Sequence, residues 1–147
     1  MRSISTSPRE TERLGFELAR RLKRRRRGAA IIALEGSLGA GKTTFVRGAL
    51  RALGVRRRVT SPTFILVKRV AISSPRRREF SFAYHADLYR IRSMHAARAL
   101  ELRDILDNPQ NAVFIEWAGN APRLLPRHTV RVLFEHGASE KERWITI

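Results

Sequence analysis

The chain of 147 residues contains no cysteine and is 43% hydrophobic, which predicts one compact domain over residues 1–147 and excludes disulfides, a thiol nucleophile and thiolate metal sites. Its formal net charge of +17 predicts attraction to polyanions such as RNA, or to an acidic protein surface. A compositional bias toward arginine explains the charge equally well, because only four of the 30 basic residues are lysines.

No apolar stretch approaches the ~20 residues that span a bilayer, and the N-terminus lacks the apolar region of a secretory signal. These absences predict a cytoplasmic protein without a membrane partner. The four histidines show no zinc-like spacing, so we expect any metal to be Mg²⁺ held by oxygen atoms.

The first predicted element is an amphipathic helix that runs to about Arg26. Residues Ser7 to Glu10 supply an N-cap serine, a proline at the first position and a glutamate at the third, and leucines follow at four-residue spacing. The basic stretch Lys23 to Arg27 would then form the last turn, with Gly28 as the C-terminal stop. Capping the helix dipole competes with RNA binding as the explanation for these charges.

A phosphate-binding loop is predicted after the apolar run Ala29 to Leu34, which is typical of a central parallel strand. The next residues fit G-x-x-x-x-G-K-[ST]: Gly36, Ser37, Leu38, Gly39, Ala40, Gly41, Lys42, Thr43 and Thr44. Glycines let backbone N–H groups surround phosphate oxygens, Lys42 adds a charge near the β- and γ-phosphates, and the Thr43 hydroxyl is placed to bind Mg²⁺. ATP is favoured over GTP because no guanine signature of the N-K-x-D type follows.

A helix is predicted from Thr43 to Leu53, with Gly54 as its stop. The stretch from Val59 to Val67 begins with turn residues and becomes strand-like, and Phe80 to Tyr89 is typical of a second strand that could pair with it antiparallel. A basic loop over residues 73–78 would join them.

A short helix is predicted from Met94 to Leu106, with Leu102, Ile105 and Leu106 facing the core. The apolar strand Asn111 to Trp117 carries Glu116 near its end, which is the arrangement of a Walker B strand and makes Glu116 a candidate Mg²⁺-site residue. A hairpin of residues 129–134 and 143–147 completes the chain.

Asp87 is a second carboxylate at a predicted strand end. It could bind the metal through water or orient the attacking water. A turn or capping role is equally compatible with its position.

Four blocks resemble the bacterial TsaE (YjeE-type) P-loop ATPases of tRNA threonylcarbamoyladenosine biosynthesis, and they occur in the family's order. They are the Gly36 to Thr44 loop, the segment Ser61 to Phe64, the block His85 to Arg90 and the block Ile115 to Trp117. The resemblance covers most of the chain, and the first helix adds Thr11, Leu14 and Gly15 in the expected order. Position 37 departs from the family, which usually has an aspartate there.

The resemblance implies roles for particular residues. Lys42 would hold phosphate, Thr43, Asp87 and Glu116 would surround Mg²⁺, and Ser61 and Thr63 would sense the γ-phosphate. Thr11 and Trp117 would lie beside the nucleotide, although Trp117 could equally be a core aromatic residue. The catalytic set is then Lys42, Asp87 and Glu116.

The expected fold class is α/β, a P-loop NTPase-like three-layer sandwich with a mixed, mainly parallel central sheet and antiparallel additions. The resemblance implies an accessory ATPase that is weakly active alone and works with the TsaD and TsaB proteins. Two alternatives stay open, a small-molecule phosphotransferase and a basic RNA-binding module. We also expect the arginine clusters at residues 24–27, 56–58 and 76–78 to contribute to tRNA or partner binding.

Overall fold

A seven-stranded mixed sheet forms the centre of this computed structural model, which describes residues 1–55, 67–72, 79–89 and 96–147. Its strands are β1 Arg2–Ser5, β2 Ala30–Gly36, β3 Val67–Ala71, β4 Phe82–Asp87, β5 Asn111–Glu116, β6 Val130–His136 and β7 Arg143–Thr146. Their spatial order is β1-β7-β6-β2-β5-β4-β3. The inner strands β6, β2, β5 and β4 are parallel, and the outer pairings β1–β7, β7–β6 and β3–β4 are antiparallel.

The described helices are α1 Pro8–Arg20, α2 Lys42–Ala52 and α3 Ala96–Asp107, with 3₁₀ turns at Ala118–Asn120 and Pro122–Leu124. Alternate residues of β2 face opposite sides of the sheet, as the strand period of two requires. Ile32 and Leu34 join the core cluster formed with α1 and α2, whereas Ile31 and Ala33 join the cluster formed with α3. Helices therefore cover both faces of the sheet, which confirms the α/β class and the mixed sheet.

Helix α1 begins as predicted but ends six residues earlier. The Ser7 hydroxyl accepts the Glu10 backbone N–H at 3.3 Å, and the last helical residue is Arg20 rather than Arg26. Five consecutive cations from Lys23 to Arg27 would repel one another along a helix, and the chain must instead turn toward the start of β2. The predicted C-terminal capping by this basic stretch and Gly28 is therefore wrong.

The crossing of α1 and α2 depends on two glycines. A Cβ atom at Gly15 would collide with the carbonyl oxygen of Phe45, and one at Gly48 would collide with that of Glu12. Backbone therefore packs against backbone where the two helices meet. This contact fixes the start of α2, and with it the loop that precedes α2, against α1.

The later predicted elements are present where the structure describes them, but one strand is displaced. The stretch predicted to be strand-like ended at Val67, whereas β3 begins at Val67 and runs to Ala71. Strand β3 pairs antiparallel with β4 as expected, α3 buries Leu102 and Leu106, and β6 and β7 form the expected hairpin. Local patterns did not predict strand β1. Helix α2 ends at Ala52, one residue before the predicted Leu53, and is followed by Gly54. Residues 56–66 and 73–78, which include the start of the predicted strand and the predicted basic loop, lie outside the described residues. Among the described helices, none has the length and apolar character needed to cross a membrane.

Candidate functional site

The loop between β2 and α2 presents backbone N–H groups at the start of a helix. Gly41 is the N-cap of α2 and has a φ of 99°, and Gly39 has a φ of 73°, so both occupy the left-handed region that favours glycine. No side chain caps the helix at Gly41, and a Cβ atom at Gly39 would meet nothing within 4 Å. The loop thus forms an open cradle whose helix dipole and N–H groups favour an anion.

The side chain of Lys42 folds back onto this loop. Its Nζ donates to the carbonyl oxygens of Gly36 and Ser37, each at 2.7 Å, and lies 4.2 Å from the centre of the Trp117 ring. Only 4% of the residue is exposed. Burial lowers the pKa of Lys42, and the negative charges of Glu116 and Asp87 oppose that shift. The cation is therefore held inside the protein next to the cradle.

Two carboxylates meet at the edge of the sheet where β4 and β5 end. Glu116 is in register with Asp87 on one side and with Leu34 of β2 on the other, so both acids lie beside the loop that follows β2. The Thr43 hydroxyl at the start of α2 lies 2.8 Å from Oε1 and 3.1 Å from Oε2 of Glu116. The structure thus joins the predicted Walker B acid to the predicted P-loop threonine.

Asp87 is buried beside this pair, but its hydrogen bond serves the local backbone. Its Oδ1 accepts the Tyr89 backbone N–H at 2.9 Å, which closes a turn directly after β4. Its charge still acts on Lys42, because it opposes the lowering of the lysine pKa by burial. A turn role and an electrostatic role therefore coexist in one residue.

His85 is a site residue that the sequence reasoning missed. Its Nε2 lies 2.7 Å from Oε1 of Glu116, and only 1% of the His85 side chain and 5% of the Glu116 side chain are exposed. The spacing of His85 and Asp87 carried the signal, since residues two apart on a strand share a face. That signal identifies the face but not the partner.

Trp117 contacts Lys42 and has an unusual backbone conformation. Its φ is 57°, which is rare for a residue with a Cβ atom, and its N–H donates to the Leu34 carbonyl at 3.0 Å. Its ring packs on that of Tyr89 at 4.8 Å, a second contact that the sequence reasoning missed. Trp117 is thus half-buried at the edge of the site rather than in the middle of the core.

Thr11 lies beneath the loop. A Cβ atom at Gly41 would come within 3.4 Å of its Cγ2, while its hydroxyl lies 2.8 Å from the Ser5 hydroxyl and donates to the Ser7 carbonyl. The Thr11 hydroxyl therefore links α1 to the end of β1 and to the N-cap residue of α1.

The other predicted loop residues differ in exposure. Ser37, Leu38 and Gly39 form the exposed tip of the loop, Ala40 is buried, and Thr44 is half-buried in α2. Ser61 and Thr63 lie outside the described residues.

The oxygen atoms around Thr43 are suited to Mg²⁺, which takes part of its ligands from phosphates and water. Among the described residues, they are too few for a cation whose ligands all come from the protein. In the described ranges, no three His, Cys, Asp or Glu side chains lie close enough together to hold a metal ion. Mg²⁺ commonly binds one or two carboxylates together with substrate phosphates and water. The Thr43 hydroxyl and the Glu116 carboxylate, with Asp87 nearby, supply ligands of that kind beside the anion cradle.

Comparison with known proteins identifies similar sequences over nearly the whole chain. The family model described as "Threonylcarbamoyl adenosine biosynthesis protein TsaE" matches residues 5–145. The tRNA threonylcarbamoyladenosine biosynthesis protein TsaE of Treponema pallidum is 34% identical over 139 residues, which cover 90% of this chain and 89% of that protein. The Bacillus subtilis protein of the same name is 33% identical over 120 residues, covering 79% and 67% respectively.

A solved structure shares the fold. The crystal structure of Bacillus subtilis YdiB matches with a TM-score of 0.70 and 24% sequence identity, covering 99% of this chain and 82% of the other. This likeness concerns the arrangement of helices and strands alone.

Proposed function

Since this chain belongs to the TsaE family of threonylcarbamoyl adenosine biosynthesis proteins, we propose that it is an accessory ATPase of that pathway. It binds and hydrolyses Mg-ATP to support turnover of a TsaD–TsaB complex. One observation carries the proposal: the Gly36 to Thr44 cradle, the buried Lys42 and the Thr43–Glu116 hydrogen bond meet at one edge of the sheet. The proposed fold is that of a P-loop NTPase.

Phosphate binding follows from the donors that the loop presents. The backbone N–H groups at the start of α2 donate to the phosphates, and Lys42 exchanges its contacts with the carbonyls of Gly36 and Ser37 for phosphate oxygens. This exchange is favourable because the lysine is already desolvated and needs to shed little water. Trp117 stays in place beside the cation, and Thr11 supports Gly41 from below.

Two carboxylates near the cradle provide the remaining chemistry. Bound Mg²⁺ would neutralise phosphate charge in the transition state, with Thr43 and Glu116 as the residues that hold it and Asp87 close by. Either Glu116 or Asp87 orients the attacking water. The roles of Ser61 and Thr63 as γ-phosphate sensors stay a prediction, as does a cytoplasmic location.

The binding partners are part of the same proposal. TsaD and TsaB would respond to the loss of the γ-phosphate, in the manner of small NTPases whose loops rearrange on hydrolysis. The described basic segment Lys23 to Arg27 is the candidate contact for tRNA, because all five residues are exposed cations.

The proposal is tested by measuring Mg-ATP hydrolysis by the purified chain, alone and with TsaD and TsaB from the same organism. We expect slow hydrolysis alone and stimulation by the complex. Lys42→Ala should lose at least ~100-fold in rate, because it removes a preorganised charge from the transition state. Glu116→Gln and Asp87→Asn should also impair hydrolysis while thermal unfolding stays cooperative.

Each alternative class predicts a different result. Full turnover by Lys42→Ala would contradict the P-loop assignment. ADP production that depends on an acceptor metabolite would identify a phosphotransferase. Salt-sensitive tRNA binding without ATP binding, unaffected by Lys42→Ala, would identify an RNA-binding module.

A further inference from the structure

We propose that His85 is a positioning residue that holds Glu116 where it accepts the Thr43 hydroxyl. The two side chains project from neighbouring parallel strands, and His85 is in register with Phe114, two residues before Glu116 on the same face of β5. Their 2.7 Å contact is almost fully shielded from water. A hydrogen bond in such a dry place is stronger than one at the surface and fixes its partners more tightly.

The donors and acceptors around Glu116 assign the proton on His85. An ionised carboxylate only accepts hydrogen bonds, so the imidazole donates from Nε2. Nδ1 is buried and has no hydrogen-bond partner among the described residues. A proton on Nδ1 would leave an unsatisfied N–H and turn the Nε2 lone pair toward the carboxylate, and both changes cost free energy. The network therefore places a proton on Nε2, where it can be donated to Glu116.

Glu116 consequently has two hydrogen-bond partners, His85 and Thr43, and both contact Oε1, while Thr43 also contacts Oε2. His85 occupies part of the acceptor capacity of Oε1 and restricts rotation of the carboxylate. Without this hydrogen bond, Glu116 could rotate away from Thr43 at the start of α2. Lys42 and the N–H groups of the cradle have no hydrogen bond to His85 in the described part of the chain, so nucleotide binding should depend on it much less than the chemical step does.

The test compares His85→Gln with His85→Asn. The glutamine amide nitrogen lies at the same number of bonds from Cβ as Nε2, whereas the asparagine nitrogen corresponds to Nδ1. We expect His85→Asn to lower kcat for Mg-ATP hydrolysis ~10–100-fold, the usual effect of removing a residue that orients a metal or catalytic ligand. The KM for ATP should stay close to that of the wild type, and His85→Gln should retain most of the activity.

His128→Ala serves as the matched control. His128 is also partly buried, and its Nε2 lies 3.3 Å from the Ala29 carbonyl at the opposite end of β2. Its loss should leave kcat unchanged. A wild-type kcat in His85→Asn, or equal losses in the asparagine and glutamine variants, would overturn the positioning role.

A second readout does not depend on hydrolysis. The ring nitrogen resonances of His85 in the wild-type chain should report the Nε2–H tautomer, and Glu116→Gln should shift them. An Nδ1–H tautomer, or resonances that do not change in Glu116→Gln, would overturn the inference. This readout does not require His85→Asn to fold. The kinetic effect rests on the proposed ATPase function. A wild-type chain that hydrolyses no ATP would contradict that function but not the role of His85. The ring nitrogen resonances would then be the test of the His85 contact.

Discussion

Glu116 connects the components of the site through its two carboxylate oxygens. It accepts from Thr43 on α2, lies within hydrogen-bond distance of His85 on β4, and opposes the burial-induced lowering of the Lys42 pKa. One side chain thus links three elements that are far apart in the sequence. Substituting Glu116 is therefore expected to disturb several contacts at once, and single substitutions around it should not have additive effects.

The lowered pKa of Lys42 predicts how the stability of the folded protein depends on pH. Its folded pKa lies below the ordinary value of 10.5, chiefly because of burial. Between the folded pKa and the ordinary value of 10.5, the unfolded chain binds more protons than the folded chain, so the contribution of Lys42 to folded-state stability increases as the pH rises through that interval. Met at position 42 cannot titrate. We expect the Tm of the wild type, relative to that of Lys42→Met, to rise over that range.

Thermal unfolding of both proteins at several pH values would measure the effect. Lys141→Met, which removes an exposed lysine from the turn between β6 and β7, is the control for general charge effects. A Tm difference that stays constant or moves in the opposite direction would show that burial does not dominate the energetics of Lys42.

The packing of α1 against α2 is the element contact on which the cradle depends. Glycines at positions 15 and 48 allow the two backbones to touch, and Thr11 on α1 packs against Gly41 at the start of α2. Side chains at the two crossing positions would push the helices apart. The loop geometry is therefore supported by a helix that contributes no predicted catalytic group.

Gly48→Ala tests this packing. Alanine is the better helix former by ~1 kcal/mol, so helix propensity alone predicts stabilisation. We instead expect a loss of about 1–3 kcal/mol in the free energy of unfolding, because the new methyl group would collide with the Glu12 carbonyl oxygen. Chemical denaturation would measure it.

Gly119→Ala is the matched control for that experiment. A Cβ atom there would meet only the Glu35 carboxylate, at 3.9 Å, which is ordinary contact. Its stability should change little. A stabilised Gly48→Ala variant would mean that the two helices can separate at no cost.

The prediction that α1 extends to Arg26 was wrong, and the reason lies in how the helix connects to the next element. Leu22 continues the apolar spacing and packs against the core, so the pattern alone favours a longer helix. Periodicity records which residues are buried, but it does not record where the chain must leave the helix to enter the central strand. Charge repulsion within the basic stretch and the connection to β2 end the helix first.

The cradle and the basic segment lie at opposite edges of the sheet. The cradle and its carboxylates lie where β2, β4 and β5 end, whereas the basic segment Lys23 to Arg27 precedes the start of β2. Strand β2 runs from Ala30 to Gly36, which separates the two edges by about 20 Å at the usual rise per residue. The Arg24 backbone N–H bonds the Glu79 carboxylate at 3.3 Å, so the segment is anchored beside the entry to β4.

This separation predicts that tRNA binding and ATP hydrolysis respond to different substitutions. A triple Arg24→Ser, Arg25→Ser, Arg26→Ser variant should weaken tRNA binding and reduce the salt dependence of log K by about one unit for each phosphate that is no longer neutralised. Hydrolysis of ATP by the chain alone should be unaffected. Binding isotherms at several salt concentrations would measure the affinity and its salt dependence.

A control variant with the same change in net charge replaces three dispersed exposed arginines, Arg9, Arg103 and Arg123, with serine. Equal weakening by both triple variants would assign the effect to net charge and favour compositional bias. Wild-type tRNA binding by the Arg24–Arg26 variant would remove this segment from the proposal.

Local patterns in the sequence were sufficient to predict the loop, the central strands β2, β4 and β5 and the two strand-end carboxylates, but not strand β1 or the bounds of β3. The predicted features depend on backbone sterics and on local burial, which residues close in the sequence determine. They include the glycines of the cradle, the continuous apolar run of β2 and the acid at the end of β5. The contacts of His85 with Glu116, of Trp117 with Lys42 and of Gly48 with Glu12 join residues separated by many positions. They arise because parallel strands align their carboxyl ends and two helices cross closely, and such distances exist only once the chain has folded.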